Sequence, residues 1–198
     1  MLGVRHLEIL NYVDGDLDQA DPREVISQTA KLIRHYRPQV IVTFPPDGSY
    51  GHPDHIAISQ FTLGAILQAA SPNGLNDEEG EPYQVKKFYY LVDSKELEQT
   101  ILSLCFELEM EVDGVVRSEV GWHDWAITTR VDATNFWRRT WQAVLCHRSQ
   151  LNGGFDTLQD ASEDIHKILW GKQNFYRVFS LVNGGRKVEH DLFAGLRR

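Results

Sequence analysis

The chain has 198 residues, of which 42% are hydrophobic and 24% are charged, and its formal net charge at pH 7 is −8. This composition and length are typical of a globular protein with one domain over residues 1–198, and the acidic balance without a basic patch argues against nucleic acid as a partner. The two cysteines lie far apart and no apolar stretch is long enough to span a bilayer, so we expect neither a disulfide framework nor a membrane span, and we predict a cytoplasmic protein.

The first half of the chain predicts two strands and two helices. Alternating apolar residues predict a strand over 6–12, and helical periodicity predicts a helix over 21–36 that begins at an Asp-Pro pair. A short β-branched run over 39–44 is typical of a strand that is buried on both faces of a parallel sheet. A polar, glycine-rich loop follows, and then a second helix over 53–70.

The second half continues the alternation. We predict strands over 85–93 and 125–132, helices over 94–106 and 133–150, and a short helix over 165–170. Strands that alternate with helices predict an α/β fold with a mainly parallel sheet flanked by helices.

The loop "PPDGSYGHPDH" joins the second predicted strand to the second helix and holds the strongest chemical signal. In an open α/β sheet, ligands bind beyond the carboxyl ends of the strands, which is where this loop lies. His52 and His55 are three residues apart and project to one side of a helical turn. A helix N-terminus disfavours the charged imidazolium, and a neutral imidazole is what a metal ion requires.

The loop alone leaves two interpretations open. It can be an ordinary strand-to-helix turn in which the histidines only cap the helix, or it can be part of a metal site in which Asp54 orients one of the rings. Catalytic zinc takes three protein ligands and a water, and this loop offers one or two of them.

At these residues the sequence resembles the PIG-L/LmbE-like zinc-dependent N-deacetylases, which remove acetyl groups from N-acetylglucosamine-type conjugates. The segment "RPQVIVTFPPDGSYGHPDHIAIS" resembles the second signature of that family. The resemblance continues in "LGVRHLEILNYVDGDL", in "ITTRVDATNFWRRTWQAVLCHRSQ" and in "EHDLFAGLR", so that it covers nearly the whole chain.

The resemblance implies a Rossmann-like fold, one zinc ion and a small amino-sugar substrate. It implies that His55 is a zinc ligand and that His52 stabilises the tetrahedral intermediate and protonates the leaving amine. It further implies that Asp54 tunes His52, that Tyr50 assists at the oxyanion, and that Asp14 lies near the sugar hydroxyls. Zinc would polarise the acetyl carbonyl and activate water.

The sequence departs from the family in one respect. The family has an earlier A-H-P-D-D-E motif, which supplies the other zinc ligands and the general base, whereas this sequence contains a single H-P-D, at His52. The first strand and helix of the family are missing with that motif. We therefore expect most of the zinc ligands to be absent here, and weak or no activity.

Three interpretations follow from this departure. The chain is an N-terminally incomplete copy; or a divergent member that recruits other ligands, with the adjacent pair His123 and Asp124 as candidates; or a non-catalytic relative that binds a carbohydrate or a protein. Without its first strand the sheet would have an unpaired edge, so self-association is also expected.

Overall fold

The computed structural model describes residues 2–72, 80–104, 109–151 and 158–197. The helices of eight or more residues in this part of the chain are α1 (Pro22–Tyr36), α2 (Pro53–Ala70), α3 (Lys95–Ser103), α4 (Trp137–Val144) and α5 (Glu163–Gly171), and a single helical turn covers Gly48–Gly51. The strands are β1 (Val40–Thr43), β2 (Lys87–Val92), β3 (Glu109–Val112), β4 (Val115–Ser118), β5 (Thr129–Asp132) and β6 (Lys172–Ser180). Each predicted helix has a counterpart, and so does each predicted strand except the first; residues 105 and 106 of the helix predicted over 94–106 lie outside the described residues.

Four strands form one sheet in the order β1-β2-β6-β5. β1 pairs with β2 in parallel, and β6 is antiparallel to both β2 and β5. Three strands therefore run in one direction and only β6 opposes them, which confirms an α/β fold with a mainly parallel sheet. α5 ends at Gly171 and β6 begins at the next residue. A parallel strand would need a longer crossover connection to bring the chain back to the other end of the sheet.

α1 and α2 pack together against one face of the sheet. Asp21 caps α1 by accepting a hydrogen bond from the Arg23 backbone, and Pro22 occupies its first turn, as the sequence predicts. The buried core on this face consists of Ala30, Ile33, Ala65, Ile66, Ala69, Val85 and Phe88. The alanines let the two helices approach each other closely.

Arg34 ties the end of α2 to α1 although it is buried. Its guanidinium donates hydrogen bonds to the carbonyl oxygens of Ala69 at 3.1 Å, Ser71 at 2.8 Å and Gly80 at 2.8 Å. These carbonyls include groups at the end of α2 that have no partner within the helix, and the positive charge complements the helix dipole there.

A buried carboxylate fixes the C-terminal segment to the sheet. Glu189 accepts hydrogen bonds from Lys87 Nζ at 2.7 Å and from the Tyr89 hydroxyl at 2.7 Å. Further partners are Thr129 Oγ1 at 3.0 Å, Asn183 Nδ2 at 2.6 Å and Arg177 NH1 at 2.9 Å. Lys87 is fully buried. The segment that resembles the family's ending is therefore held by a charged group inside the protein.

The prediction of a strand over 6–12 is wrong. Residues 2–13 are in neither a helix nor a strand, and the side chains of Leu7 and Ile9 are 78% and 73% exposed. Alternation is a local pattern, but a strand forms only beside a partner, and no described strand lies next to this segment.

The expectation that the second strand is buried on both faces is also wrong. β1 has one neighbour in the described sheet, β2, and Val42 is 41% exposed. An edge strand with an apolar, β-branched sequence is the result, because the composition of a strand does not reveal how many neighbours it has.

Two further differences concern the second half. The helix predicted over 133–150 is divided into a short 3-10 turn (Thr134–Phe136), α4 and a second 3-10 turn (Arg148–Gln150). The hairpin of β3 and β4 was not predicted, although Asp113-Gly114 between Val112 and Val115 is a hairpin signal. Both turn residues have positive φ, at 54° and 76°, as a type I′ turn requires.

Candidate functional site

The candidate site lies in the turn between β1 and α2, beyond the carboxyl end of β1. Gly48 and Gly51 have φ values of 69° and 78°, and Ser49 between them has φ 67°. A Cβ at Gly48 would lie 2.8 Å from Ile56 Cγ1, so this position has no room for a side chain. The turn is tight because it must bring the chain straight back onto the first turn of α2.

His52 caps α2 with its ring. The backbone N–H of Asp54 donates to His52 Nδ1 at 3.1 Å, and Pro53 follows in the first helical position. Because Nδ1 accepts this hydrogen bond, the neutral ring carries its proton on Nε2. His52 therefore presents an N–H donor on the side of the ring that faces away from the helix.

His55 has the opposite arrangement. Its Nδ1 lies 3.2 Å from the carbonyl oxygen of Gly48, which only accepts hydrogen bonds, so Nδ1 carries the proton and Nε2 has a free lone pair. Burial lowers the pKa of His55 below its usual value, an effect that the hydrogen bond to Gly48 opposes and the neighbouring His52 reinforces. The ring is thus neutral at pH 7, in the state that binds metal through Nε2.

The aromatic rings form one stack. The ring of His55 lies between Phe44, at a centroid distance of 3.8 Å and 10° between planes, and His52, at 4.5 Å and 19°. Tyr50 meets both histidines edge-on, at 5.9 Å from His52 and 5.5 Å from His55. The stack holds the two imidazole rings face to face.

Asp54 connects this turn to the loop before α1. Its carboxylate accepts from the backbone N–H of Gly15 at 2.7 Å and of Leu17 at 3.0 Å. Both oxygens are therefore engaged with the loop that carries Asp14, and these hydrogen bonds, not one to the ring of His52, are what its side chain makes in the structure.

Asp14 and Tyr50 complete the set. The charge of Asp14 acts on both Tyr50 and His55. Burial raises the pKa of Tyr50 above its usual value, and the negative charges of Asp14 and Glu119 raise it further, so the phenol is a neutral donor at pH 7. All five residues singled out in the sequence, Asp14, Tyr50, His52, Asp54 and His55, are thus brought to one place.

The donor set fits a metal ion only in part. His55 has a free Nε2, and its Nδ1–H is held by a backbone carbonyl, as in many metal-binding histidines. Within residues 2–72, 80–104, 109–151 and 158–197, however, no group of three or more His, Cys, Asp or Glu side chains could hold a metal ion. Because catalytic zinc needs three protein ligands, the described residues do not form a complete zinc site.

The alternative His-Asp pair does not supply the missing ligands. Asp124 is exposed and pairs with Arg130 at 2.9 Å, and His123 stacks on Trp125, which is 84% exposed. Both groups therefore have other partners at the surface.

Sequence reasoning missed two residues beside the turn, Arg117 and Glu119, which come from β4 and the segment after it. Arg117 NH1 donates to the carbonyl oxygen of Gly51 at 2.8 Å. Burial raises the pKa of Glu119 to about 8, and a hydrogen bond with Asp93 adds to the effect. Recognising the Asp113-Gly114 turn would have located the hairpin, but no sequence signal links it to Gly51.

Comparisons with known proteins indicate the family of the chain. Residues 1–66 match the family model described as GlcNAc-PI de-N-acetylase (PIG-L). A mycothiol S-conjugate amidase of Streptomyces coelicolor is 30% identical over 220 residues, covering 100% of this chain and 73% of the amidase.

Two proteins named 1D-myo-inositol 2-acetamido-2-deoxy-alpha-D-glucopyranoside deacetylase are similar as well. The one from Kineococcus radiotolerans is 31% identical, covering 91% of this chain and 52% of the relative. The one from Thermobifida fusca is 30% identical, covering 89% and 62%. The chain thus spans little more than half the length of these two deacetylases.

Among solved structures, the conserved protein TT1542 from Thermus thermophilus is similar in fold. The TM-score is 0.56 at 20% identity, with 88% of this chain and 66% of that chain covered. This likeness supports the α/β fold.

No helix in the described part of the chain is long and apolar enough to cross a membrane.

The G-H-P-D-H turn, the match to the family model and the amidase that is 30% identical over most of its length agree with one another: the chain belongs to the PIG-L family, that is, to the LmbE-like N-deacetylases.

Proposed function

We propose that the chain hydrolyses the N-acetyl group of a small amino-sugar conjugate of the glucosaminyl type. The observation that carries the proposal is the pair of stacked rings with opposite tautomers, in which His52 offers an N–H donor and His55 offers a lone pair, side by side. An amide carbonyl needs a donor at its oxygen when water attacks. The names of the relatives, which are deacetylases and an amidase, support the same chemistry.

In this proposal His52 and Tyr50 act on the reacting amide. Water adds to the acetyl carbon, and the carbonyl oxygen gains negative charge that the Nε2–H of His52 and the phenol of Tyr50 stabilise. The C–N bond then breaks as the nitrogen takes a proton from His52, His52 recovers the proton that the attacking water has lost, and acetic acid and the free amine leave with His52 neutral again. The attack of water requires a hydrogen-bond donor at the carbonyl oxygen, and both His52 and Tyr50 have a donor.

In this proposal Asp14 and Asp54 contribute to binding of the sugar. Asp54 holds the backbone of Gly15 and Leu17, and so places Asp14 beside Tyr50 and His55. A carboxylate in this position accepts hydrogen bonds from the hydroxyls of a sugar ring. We therefore assign substrate binding to Asp14 and support of its loop to Asp54.

We further propose that His55 is one ligand of a single zinc ion. Bound zinc supplies a Lewis acid for an acyl carbonyl. Among the described residues, the side chains near His55 do not complete the ligand set. Cytoplasmic location and self-association stay predictions; the exposed apolar residues of the segment over 2–13 and the open edge of β1 in the described sheet support the latter.

The incomplete donor set also favours the second candidate, a carbohydrate-binding module without turnover. One assay separates the two. Residues 1–198 are incubated with acetyl-labelled N-acetylglucosaminyl-inositol, with zinc in excess or with a chelator, and acetate release and sugar binding are both measured. We expect slow release of acetate and free amine in equal amounts, lost with the chelator and in His55→Ala.

The other outcomes of this assay also distinguish between the deacetylase and the binding module. Binding without acetate release supports the binding module. Neither binding nor release contradicts both candidates. Fast turnover with tight, stoichiometric zinc would show that the chain completes the ligand set itself, against our expectation of weak activity.

A further inference from the structure

The hairpin of β3 and β4 stands apart from the four-stranded sheet and contacts the turn before α2. Its two strands pair with each other from Glu109–Ser118 to Val112–Val115 and with no other strand in the described part of the chain. The hairpin therefore owes its position to side-chain contacts with the rest of the protein, and the contacts it makes lie at the candidate site.

Arg117 makes the closest of these contacts. Its NH1 donates to the carbonyl oxygen of Gly51 at 2.8 Å, and its aliphatic part lies directly on the glycine. A Cβ at Gly51 would be 2.5 Å from Arg117 Cδ and 2.8 Å from Arg117 Cβ. Gly51 also has a φ of 78°, so this position excludes a side chain for two separate reasons.

A second side chain of this region lies near the turn. Glu119 follows β4, which ends at Ser118, and is turned away from solvent, whereas Val116 and Val120 are exposed. The two valines are 62% and 64% exposed, whereas Arg117 and Glu119 are partly buried. Glu119 borders a small cavity together with Ser49 and Trp122, among others.

The carbonyl that Arg117 holds belongs to the peptide plane between Gly51 and His52. Because the nitrogen of His52 belongs to this plane, the orientation of the plane sets the position of the His52 backbone. The His52 ring, which caps α2 and stacks on His55, is positioned with it. Glycine on the preceding side gives this backbone more freedom than any other residue would, so an external contact is needed to restrain it.

We infer that Arg117 is a positioning residue for His52, acting through the carbonyl of Gly51, and that the hairpin is the element that sets the catalytic turn. The catalytic consequence rests on the proposed deacetylation, whereas the effect on the ring of His52 does not. Nothing in the turn itself takes the place of this contact, because its own hydrogen bonds to Asp47, Gly48 and Asp54 lie on either side of the Gly51 carbonyl.

The test compares three variants of the full chain by long-range ¹H–¹⁵N spectra of the histidine rings and by acetate release. Arg117→Met removes the donor and keeps the length of the side chain, Arg117→Lys restores one donor, and Val116→Thr changes the outer face of the same strand. We expect Arg117→Met to replace the single Nε2–H tautomer of His52 by an averaged signal. Arg117→Lys should return towards the wild-type pattern, and Val116→Thr should match it.

Acetate release should fall by about 10- to 100-fold in Arg117→Met through kcat, with little change in KM, because misplacement affects the reacting groups more than sugar binding. An unchanged His52 signal in a folded Arg117→Met protein overturns the inference. If that variant does not fold, Gly51→Ala applies the same test from the other side of the contact. Wild type without acetate release would count against the proposed function alone, since the ring spectra still decide the role of Arg117.

Discussion

Replacing Glu189 with glutamine is expected to lower the free energy of unfolding by about 3 to 5 kcal/mol, the range for a buried ion pair that loses one partner. Lys87 is fully buried and Arg177 is nearly so, and both face this carboxylate. The variant leaves two positive charges inside the protein with no anion between them. Urea denaturation monitored by fluorescence gives the difference directly.

The matched control is Glu163→Gln. Glu163 also accepts from two cations, Arg138 and Lys167, but it is exposed at the surface. Exposed pairs contribute about 0 to 1 kcal/mol, so this variant should be nearly as stable as wild type. An equally small loss in Glu189→Gln would show that the Glu189 cluster does not anchor the C-terminal segment.

The same carboxylate makes stability depend on pH in a defined window. Burial alone would raise the pKa of Glu189, but hydrogen bonds from Lys87, Tyr89 and Asn183, among others, outweigh burial and lower the pKa to about 2, from an ordinary value of 4.5. Because the folded pKa is the lower one, the stabilisation is complete above about pH 4.5 and is lost as the pH falls towards 2. The difference in the free energy of unfolding between wild type and Glu189→Gln should therefore decrease as the pH falls from about 4.5 to about 2.

The second large effect concerns His52. We expect His52→Asn to reduce acetate release by about 10²- to 10³-fold, the usual loss when one donor to a developing oxyanion is removed. Asparagine is among the best N-cap residues, so the start of α2 at Pro53 should survive while the donor of the longer imidazole is lost. The measurement is the zinc-dependent release of labelled acetate at saturating substrate.

His123→Asn is the control for that variant. His123 contacts Trp125 at the surface and has no described contact with the stacked rings, so its replacement should leave the rate unchanged. A His52→Asn protein that keeps the wild-type rate would remove His52 from the mechanism and leave its ring with only a capping role.

The sequence allowed the turn of the candidate site to be predicted because its signals are local. Pro53 after His52 indicates a helix start, and three-residue spacing brings His55 onto the same side, so the structure and the sequence agree from Gly48 onwards. The tautomers could not be predicted, because they depend on which backbone group each Nδ1 meets. In one ring that group is a donor from Asp54, and in the other it is an acceptor from Gly48.

Contacts between distant parts of the chain account for what the sequence did not predict. Arg117 and Gly51 are 66 residues apart, and only the folded hairpin brings them together. The segment over 6–12 has the alternation of a strand but no neighbour beside it in the described sheet, and Val42 has the composition of a buried strand at an open edge. Pairing depends on neighbours, and composition does not encode them.

We assign opposite tautomers to the two stacked rings, which gives one of them an N–H donor and the other a free lone pair. The ring nitrogens of the wild-type chain at about pH 7.5, one unit above the ordinary histidine pKa, test this directly by ¹⁵N spectroscopy without zinc. We expect a proton on Nε2 of His52 and on Nδ1 of His55. The same tautomer in both rings would contradict this assignment.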